Sequence, residues 1–227
     1  MPKQKKTKKE ETVEEEVVEL TDEELHQELT ALLEQAMGQQ QEESDLRVAQ
    51  LYGDVEEKMA ADLISAFLIL RESGKYKLLE EGKTEAITAY KPFELIISTP
   101  GGTAVDMFSI YDMMRQIQDD CEIHTYGLGR VMSAGVILLA AGTKGKRKIG
   151  ANCRVMIHSV IGGHHGSIQN LENEMEEVRW VQDQYNKALC AETDLTPRML
   201  KKLLAKNVNV YLTAQEAVDY GIADIIV

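Results

Sequence analysis

Ser133 stands in Gly129-Arg130-Val131-Met132-Ser133-Ala134-Gly135, where a strand-like stretch gives way to a small apolar helix. Small neighbours permit close backbone approach, and the free N–H groups of a helix start favour a developing negative charge. A serine nucleophile also needs a base within hydrogen-bond reach, a group to orient that base, and oxyanion donors. His158 ends the apolar run Val155-Met156-Ile157, at the strand end where sites form in α/β sheets. Pro100-Gly101-Gly102 follows a strand and opens a helix, so it reads as a backbone N–H nest or as a tight turn. Each signal has a plainer reading: a serine that only caps its helix, or a histidine satisfied in the core. Val131 replaces the first glycine of a GxSxG elbow. No GxGxxG or GxxxxGKS supports a nucleotide site. His164 and His165, flanked by glycines, have no metal-ligand spacing, and no metal is expected.

The elements that must position these residues alternate between strands and helices. Asp54 is placed to cap a helix carrying Met59, Leu63, Ala66, Phe67 and Leu70 and ending at Gly74. Residues 75–91 read as an exposed connection. Strands are expected at Phe93–Ile97, Glu122–Tyr126 and Arg154–His158, and helices at Ala104–Ile117, through Ala141, and from Pro197 to Ala205. Gly127 to Ser133 reads as a turn, and Tyr211 to Asp224 closes the chain. This order indicates an α/β fold with a mostly parallel sheet. Residues 168–189 form a long charged helix whose narrow stripe runs through Ile168, Leu171, Met175, Val178, Val181, Tyr185 and Leu189. A stripe that narrow suits a projecting helix that packs on a second copy, while packing on its own domain calls for a wider one.

The chain has 227 residues and a net charge of −13, with 44% hydrophobic and 28% charged residues. That is one domain plus a tail. No apolar run is long enough to span a membrane, no secretory signal follows the basic start, and the acidic balance argues against general nucleic-acid binding. Three cysteines without CxxC spacing read as reduced thiols of a cytoplasmic protein. Residues 1–45 carry 5 Lys against 14 Asp+Glu, so most of the acidity is there. Within that extension, 1–20 read as disordered, either a solvated tail or a docking segment. Residues 21–37 read as an amphipathic helix opened by the Thr21/Glu24 capping box. The domain proper runs from 46 to 227.

Taken in order, several motifs are more specific than any one alone: Ser98-Thr-Pro-Gly-Gly102, Val131-Met-Ser133-Ala-Gly135, Gly142-Thr-Lys-Gly-Lys-Arg147 and Arg154-Val-Met-Ile-His158. Gly162-Gly163 before the long helix and Leu212-Thr-Ala-Gln-Glu-Ala217-Val-Asp-Tyr-Gly221 extend the series. Together they resemble the ClpP family of caseinolytic serine proteases over residues 46–227. The resemblance implies an α/β, crotonase-like subunit of repeated β-β-α units with a projecting handle, here residues 159–192. It implies Ser133 as nucleophile, His158 as general base, the N–H groups of Gly102 and Ala134 as oxyanion donors, and Gly101, Gly162 and Gly163 as peptide-binding positions. It further implies a tetradecamer of two stacked heptameric rings joined through 168–189. Unfolded chains would be fed in by an AAA+ unfoldase, ATP being used only by that partner and no cofactor by this chain.

Departures from the family pattern are as informative. The third triad position, an Asp in the family, is Asn209 in Lys206-Asn-Val-Asn209-Val-Tyr211, with Val208 where the family has Arg. An Asn can orient a histidine but adds no charge to stabilise an imidazolium. Ser159-Val160 replaces Gln-Pro, and Glu94 and Ile96 replace aromatics of the unfoldase-docking pocket. Alternatives to a serine endopeptidase are therefore a weak or inactive ring subunit with an assembly or regulatory role and a virus-type capsid-maturation protease. An acyl-CoA hydratase-type enzyme shares the fold but has no use for a Ser–His pair.

Overall fold

The computed structural model describes residues 46–79, 85–163, 165–205 and 208–227. The tail 1–20 and the helix 21–37 expected from the sequence lie outside the described residues, as do His164 and Asn207. The chain divides into two units, Met1–Leu46 and Arg47–Val227, and the second carries the fold described below.

β4 (Phe93–Thr99) is flanked in parallel by β1 (Val48–Tyr52) and by the central strand β5 (Ile123–Met132). Beyond β5 come β6 (Lys148–Ile149) and β9 (Ile225–Ile226), also parallel. β7 (Arg154–Ile157) pairs in parallel with the far half of β5 and antiparallel with β8 (Val210–Leu212). The sheet is thus mostly parallel, as the alternation of elements requires.

The structure corrects the sequence reading at several points. β1 was not expected: only Ala49 and Leu51 of its five residues are buried, too faint an alternation to signal a strand. β6 has two residues and exists because β5 and β9 flank it. Residues 75–91 are not a plain connection. β2 (Lys75–Leu78) and β3 (Ile87–Tyr90) pair as an antiparallel ribbon, mostly exposed and so without a buried face to signal it. The stretch 127–133 is not a turn, because β5 continues to Met132. Gly129 at φ +60 and a register shift between Ile97 and Thr99 let the strand leave β6 and take up β7 without breaking. Asp54 does not cap α1 (Glu57–Ser73); the cap position is Glu56. The reason is Val55, whose bridge to Gly102 keeps the chain extended beyond Asp54.

Five further helices follow among the described residues. In α2 (Ala104–Ile117), Thr103 accepts a hydrogen bond from the Asp106 N–H, and Met107, Ile110, Met114 and Ile117 form the buried face. All seven residues of α3 (Ala134–Ala140) are buried, which explains a helix apolar on every side. Gly135 permits that depth, since a Cβ there would lie 2.4 Å from Thr99 Cγ2. α5 (Pro197–Leu204) is capped by Thr196, and α6 (Ala214–Asp219) by a Thr213/Glu216 capping box.

α4 (Ile168–Glu192) divides the apolar stripe in two. Tyr185 and Leu189 are buried against the domain, while Ile168, Leu171 and Met175 remain exposed. Trp180, which the stripe did not include, is 56% exposed beside them. The C-terminal third thus packs on its own domain, and the rest presents apolar side chains outward. Glu192, at the foot of the helix, is buried and accepts from Tyr111 Oη at 2.8 Å and pairs with Arg115 at 3.1 Å. Its backbone carbonyl accepts from Lys144 Nζ and, at 2.8 Å, from Arg147.

The buried Arg147 also donates through Nε to Asp224 at 2.8 Å, and its backbone N–H reaches the same carboxylate at 3.0 Å. Burial alone would raise the Asp224 carboxyl, but the Arg147 bonds outweigh it and hold it below the usual carboxylate range. Arg147→Met leaves that carboxylate unpaired and is expected to cost about 3 kcal/mol at neutral pH, read from urea unfolding. A depressed carboxylate contributes its full stability above the unfolded-state value of about 3.9 and loses it as the pH falls through the lower folded value. The difference between variant and wild type should therefore shrink in acid below that point.

Candidate active site

Ser133 sits at the joint between β5 and α3 with φ 53 and ψ −118; among the described residues it is the one non-glycine with positive φ. Such a backbone costs about 1–3 kcal/mol and persists only when its surroundings impose it. Here they do. The Ser133 N–H donates to Met156 O at 2.8 Å, and its carbonyl accepts from the Val136 N–H at 3.0 Å and from Tyr185 Oη at 3.2 Å. Gly101, at φ +108, lies directly against it, and a Cβ there would fall 2.6 Å from Ser133 Cβ. The Ser133 hydroxyl makes no capping bond. Its Oγ lies 2.7 Å from His158 Nε2 instead.

His158 follows β7 directly. The register of Met132 against Met156 brings the residues after both strands side by side, which is why positions 25 apart in sequence meet. The ring is half-buried, and that burial lowers its pKa below the ordinary 6.5. It is therefore mostly neutral at pH 7 and able to accept a proton. The rival thiols cannot do the same. Burial pushes Cys153 up to about 11 and raises Cys121 and Cys190, which keeps all three protonated at neutral pH.

Gly102 closes one side of the cleft. Val55 brackets it, accepting from the Thr103 N–H at 2.9 Å and donating to the Gly101 carbonyl at 2.8 Å. A Cβ on Gly102 would lie 1.9 Å from Val55 O, so no side chain fits there. Among the described residues neither the Gly102 N–H nor the Ala134 N–H has an acceptor, and both residues line the cleft with Ser133. The cleft holds about 620 Å³ and is otherwise walled largely by Met107, Met156, Val160, Ile161 and Val181. It combines a neutral base, a hydroxyl in hydrogen-bond contact with it, free backbone donors and an apolar wall.

The other expected positions fall differently. Asn209 lines the same cleft, just before β8, but is exposed, and among the described residues no hydrogen bond joins it to His158. Gly162 and Gly163 lie just past the lining residues Val160 and Ile161, in a segment outside any strand. Val160 N–H donates to Gln182 Oε1 at 2.7 Å, and a Cβ on Gly162 would lie 2.6 Å from Val178 Cγ2, so this segment runs against α4. Glu94 is neutralised by Lys148 at 2.7 Å, a partner supplied by β6, which the sequence did not signal. Sequence reasoning also missed Tyr185 as a polar contact of the site. It stood in an apolar stripe, and only its hydroxyl hinted at more.

Among the described residues no group of three or more His, Cys, Asp and Glu is placed to hold a metal, and no helix is long and apolar enough to cross a membrane. The mostly parallel α/β sheet is consistent with the fold of a Clp-type peptidase. The family model for Clp protease matches residues 34–227, a span that opens ahead of the domain boundary expected at residue 46. The ATP-dependent Clp protease proteolytic subunit 1 of Prochlorococcus marinus subsp. pastoris is 34% identical over 142 residues, covering 63% of this chain and 70% of that protein. The chain belongs to the Clp protease family.

The state of His158 can be read directly. Its NMR titration is expected to have a midpoint below pH 6.5 in the wild type. Asn209→Asp places a negative charge on the same cleft and should move that midpoint upward. An unchanged midpoint would mean that position 209 does not face the ring.

Proposed function

We propose that the protein is a serine endopeptidase that cleaves peptides and unfolded polypeptides by an acyl-enzyme route. The observation that carries this reading is the 2.7 Å contact between Ser133 Oγ and His158 Nε2. Ser133 Oγ bonds the scissile carbonyl carbon while its proton passes to His158 Nε2. The resulting oxyanion is held by the N–H groups of Gly102 and Ala134. His158 then returns the proton to the leaving amine as the C–N bond breaks, leaving Ser133 acylated. Water, deprotonated by His158, attacks the ester, and the carboxyl product leaves as Ser133 regains its proton. No cofactor enters. The apolar wall of the cleft suits an apolar side chain next to the cleaved bond. The segment 161–163 offers backbone groups for an extended chain, and this is the role assigned to Gly162 and Gly163. Gly101, expected from the resemblance to share it, is buried with its N–H on Thr99 Oγ1 and its carbonyl on the Val55 N–H, and so has no free group for a peptide.

Asn209, which lines the same cleft, is the positioning residue for His158 in this reading. The proposed assembly is a pair of stacked heptameric rings joined through the exposed apolar side chains Ile168, Leu171 and Met175 of α4. An AAA+ unfoldase is the partner proposed to spend ATP and deliver the substrates. A second reading, a weak or inactive ring subunit, draws on one observation: Asn209 is exposed and not bonded to His158.

A fluorophosphonate probe separates the two. The wild type is expected to gain one adduct by intact mass and Ser133→Ala none, with peptide hydrolysis abolished and particle size unchanged in the variant. A wild type that takes no adduct is the inactive subunit. Asn209→Asp should raise turnover by more than tenfold, given that loss of the triad charge elsewhere costs about 10⁴; a fall in turnover would make Asn the tuned residue.

A further inference from the structure

Tyr185 is 5% exposed, sits on α4, and lines the same cleft as Ser133. Its Oη donates to the Ser133 carbonyl oxygen at 3.2 Å, and that oxygen also accepts from the Val136 N–H. Burial raises the phenol, so it stays a protonated donor throughout the working range of pH. The carbonyl it holds belongs to the peptide unit whose other end is the Ala134 N–H. A peptide unit is planar and trans, so its C=O and N–H point in opposite directions. Fixing the Ser133 oxygen therefore aims the Ala134 N–H. A donor on the carbonyl also polarises the amide and strengthens its N–H as a hydrogen-bond donor.

We propose that Tyr185 is a positioning residue for the oxyanion, acting through the Ser133–Ala134 peptide. This rests on the reading of Ser133 as nucleophile and Ala134 as oxyanion donor. The strained backbone of Ser133 makes such a brace consequential. On one side the peptide chain is tied to β7 through Met156, and on the other the brace is delivered by the handle helix. Other routes to an aimed Ala134 N–H are few, because Val136 alone shares the carbonyl among the described residues. The handle helix thus contributes to the chemistry through one hydroxyl, and the sequence carries that hydroxyl in a position where an apolar side chain would pack equally well.

The test uses the full-length assembled protein with a chromogenic peptide and a peptide boronate, whose tetrahedral adduct mimics the oxyanion. Tyr185→Phe removes only the hydroxyl, and Tyr185→Met fills the space with a flexible apolar chain. Both are expected to lower kcat about three- to tenfold, the worth of one neutral hydrogen bond, and to leave KM unchanged. The boronate inhibition constant should rise by the same factor, while thermal midpoint and particle size stay at wild-type values for Tyr185→Phe. An unchanged kcat in an active, probe-labelled protein overturns the role of Tyr185 and leaves Ser133 as nucleophile. A loss seen in KM, or in Tyr185→Met alone, assigns the tyrosine to packing and also overturns it. Failure of the wild type to take the fluorophosphonate overturns both.

Discussion

Everything at the site hangs on a single unfavourable backbone geometry at Ser133, whose φ of 53 turns the chain from β5 into α3 and throws the hydroxyl toward His158. L-residues resist that conformation because Cβ crowds the backbone carbonyl. Three elements impose it here. β7 takes the N–H through Met156, α4 takes the carbonyl through Tyr185, and Gly101 leaves room for Ser133 Cβ where a side chain would collide with it. Remove the glycine's freedom and the serine must move; remove the serine's twist and its hydroxyl reverts to capping a helix. The two glycines of Pro100-Gly101-Gly102 thus have different duties. One accommodates the serine, and the other lets Val55 approach closely enough to leave an amide facing the cleft.

A second layer keeps that joint in place from a distance. The foot of α4 is anchored by Glu192, whose carboxylate meets Tyr111 and Arg115 and whose carbonyl meets Lys144 and Arg147. Arg147 in turn pairs with Asp224 near the end of the chain. Buried ions of this kind add little net stability compared with apolar packing, yet breaking one of them is costly. Their effect is to lock register. The helix that brings Tyr185 to Ser133 cannot slide without parting the buried Glu192 and Arg147 from their partners.

Much of this was legible in the residues. α2 was read with its observed bounds because its apolar spacing is clean and a Thr stands at its cap. The residues alone left Ser133 and His158 with plainer readings; the family resemblance implied their pairing, and the structure places Oγ and Nε2 2.7 Å apart. What escaped had weak or misleading local signals. β1 and β6 owe their strand state to neighbours rather than to alternation, and the ribbon β2–β3 buries no face. The reach of β5 was hidden by two glycines that elsewhere mark a turn. Asp54 looked like a helix cap until the Val55–Gly102 bridge, a contact across 47 positions, delayed the helix. The relation of Asn209 to His158 could not be read from spacing at all, because it depends on how the approach to β8 is held.

α3 has a consequence for how the molecule yields to stress. Every residue of that helix is buried, and Ser133 stands at its N-cap with its N–H on Met156 O, so shifting the serine's backbone requires disturbing the core. The opposing wall is of another kind. Residues 161–163 are exposed, and Val160 is moored by a single amide bond to Gln182. A cleft built as one fixed jaw and one yielding jaw can admit groups of differing bulk while Ser133 and His158 keep their places.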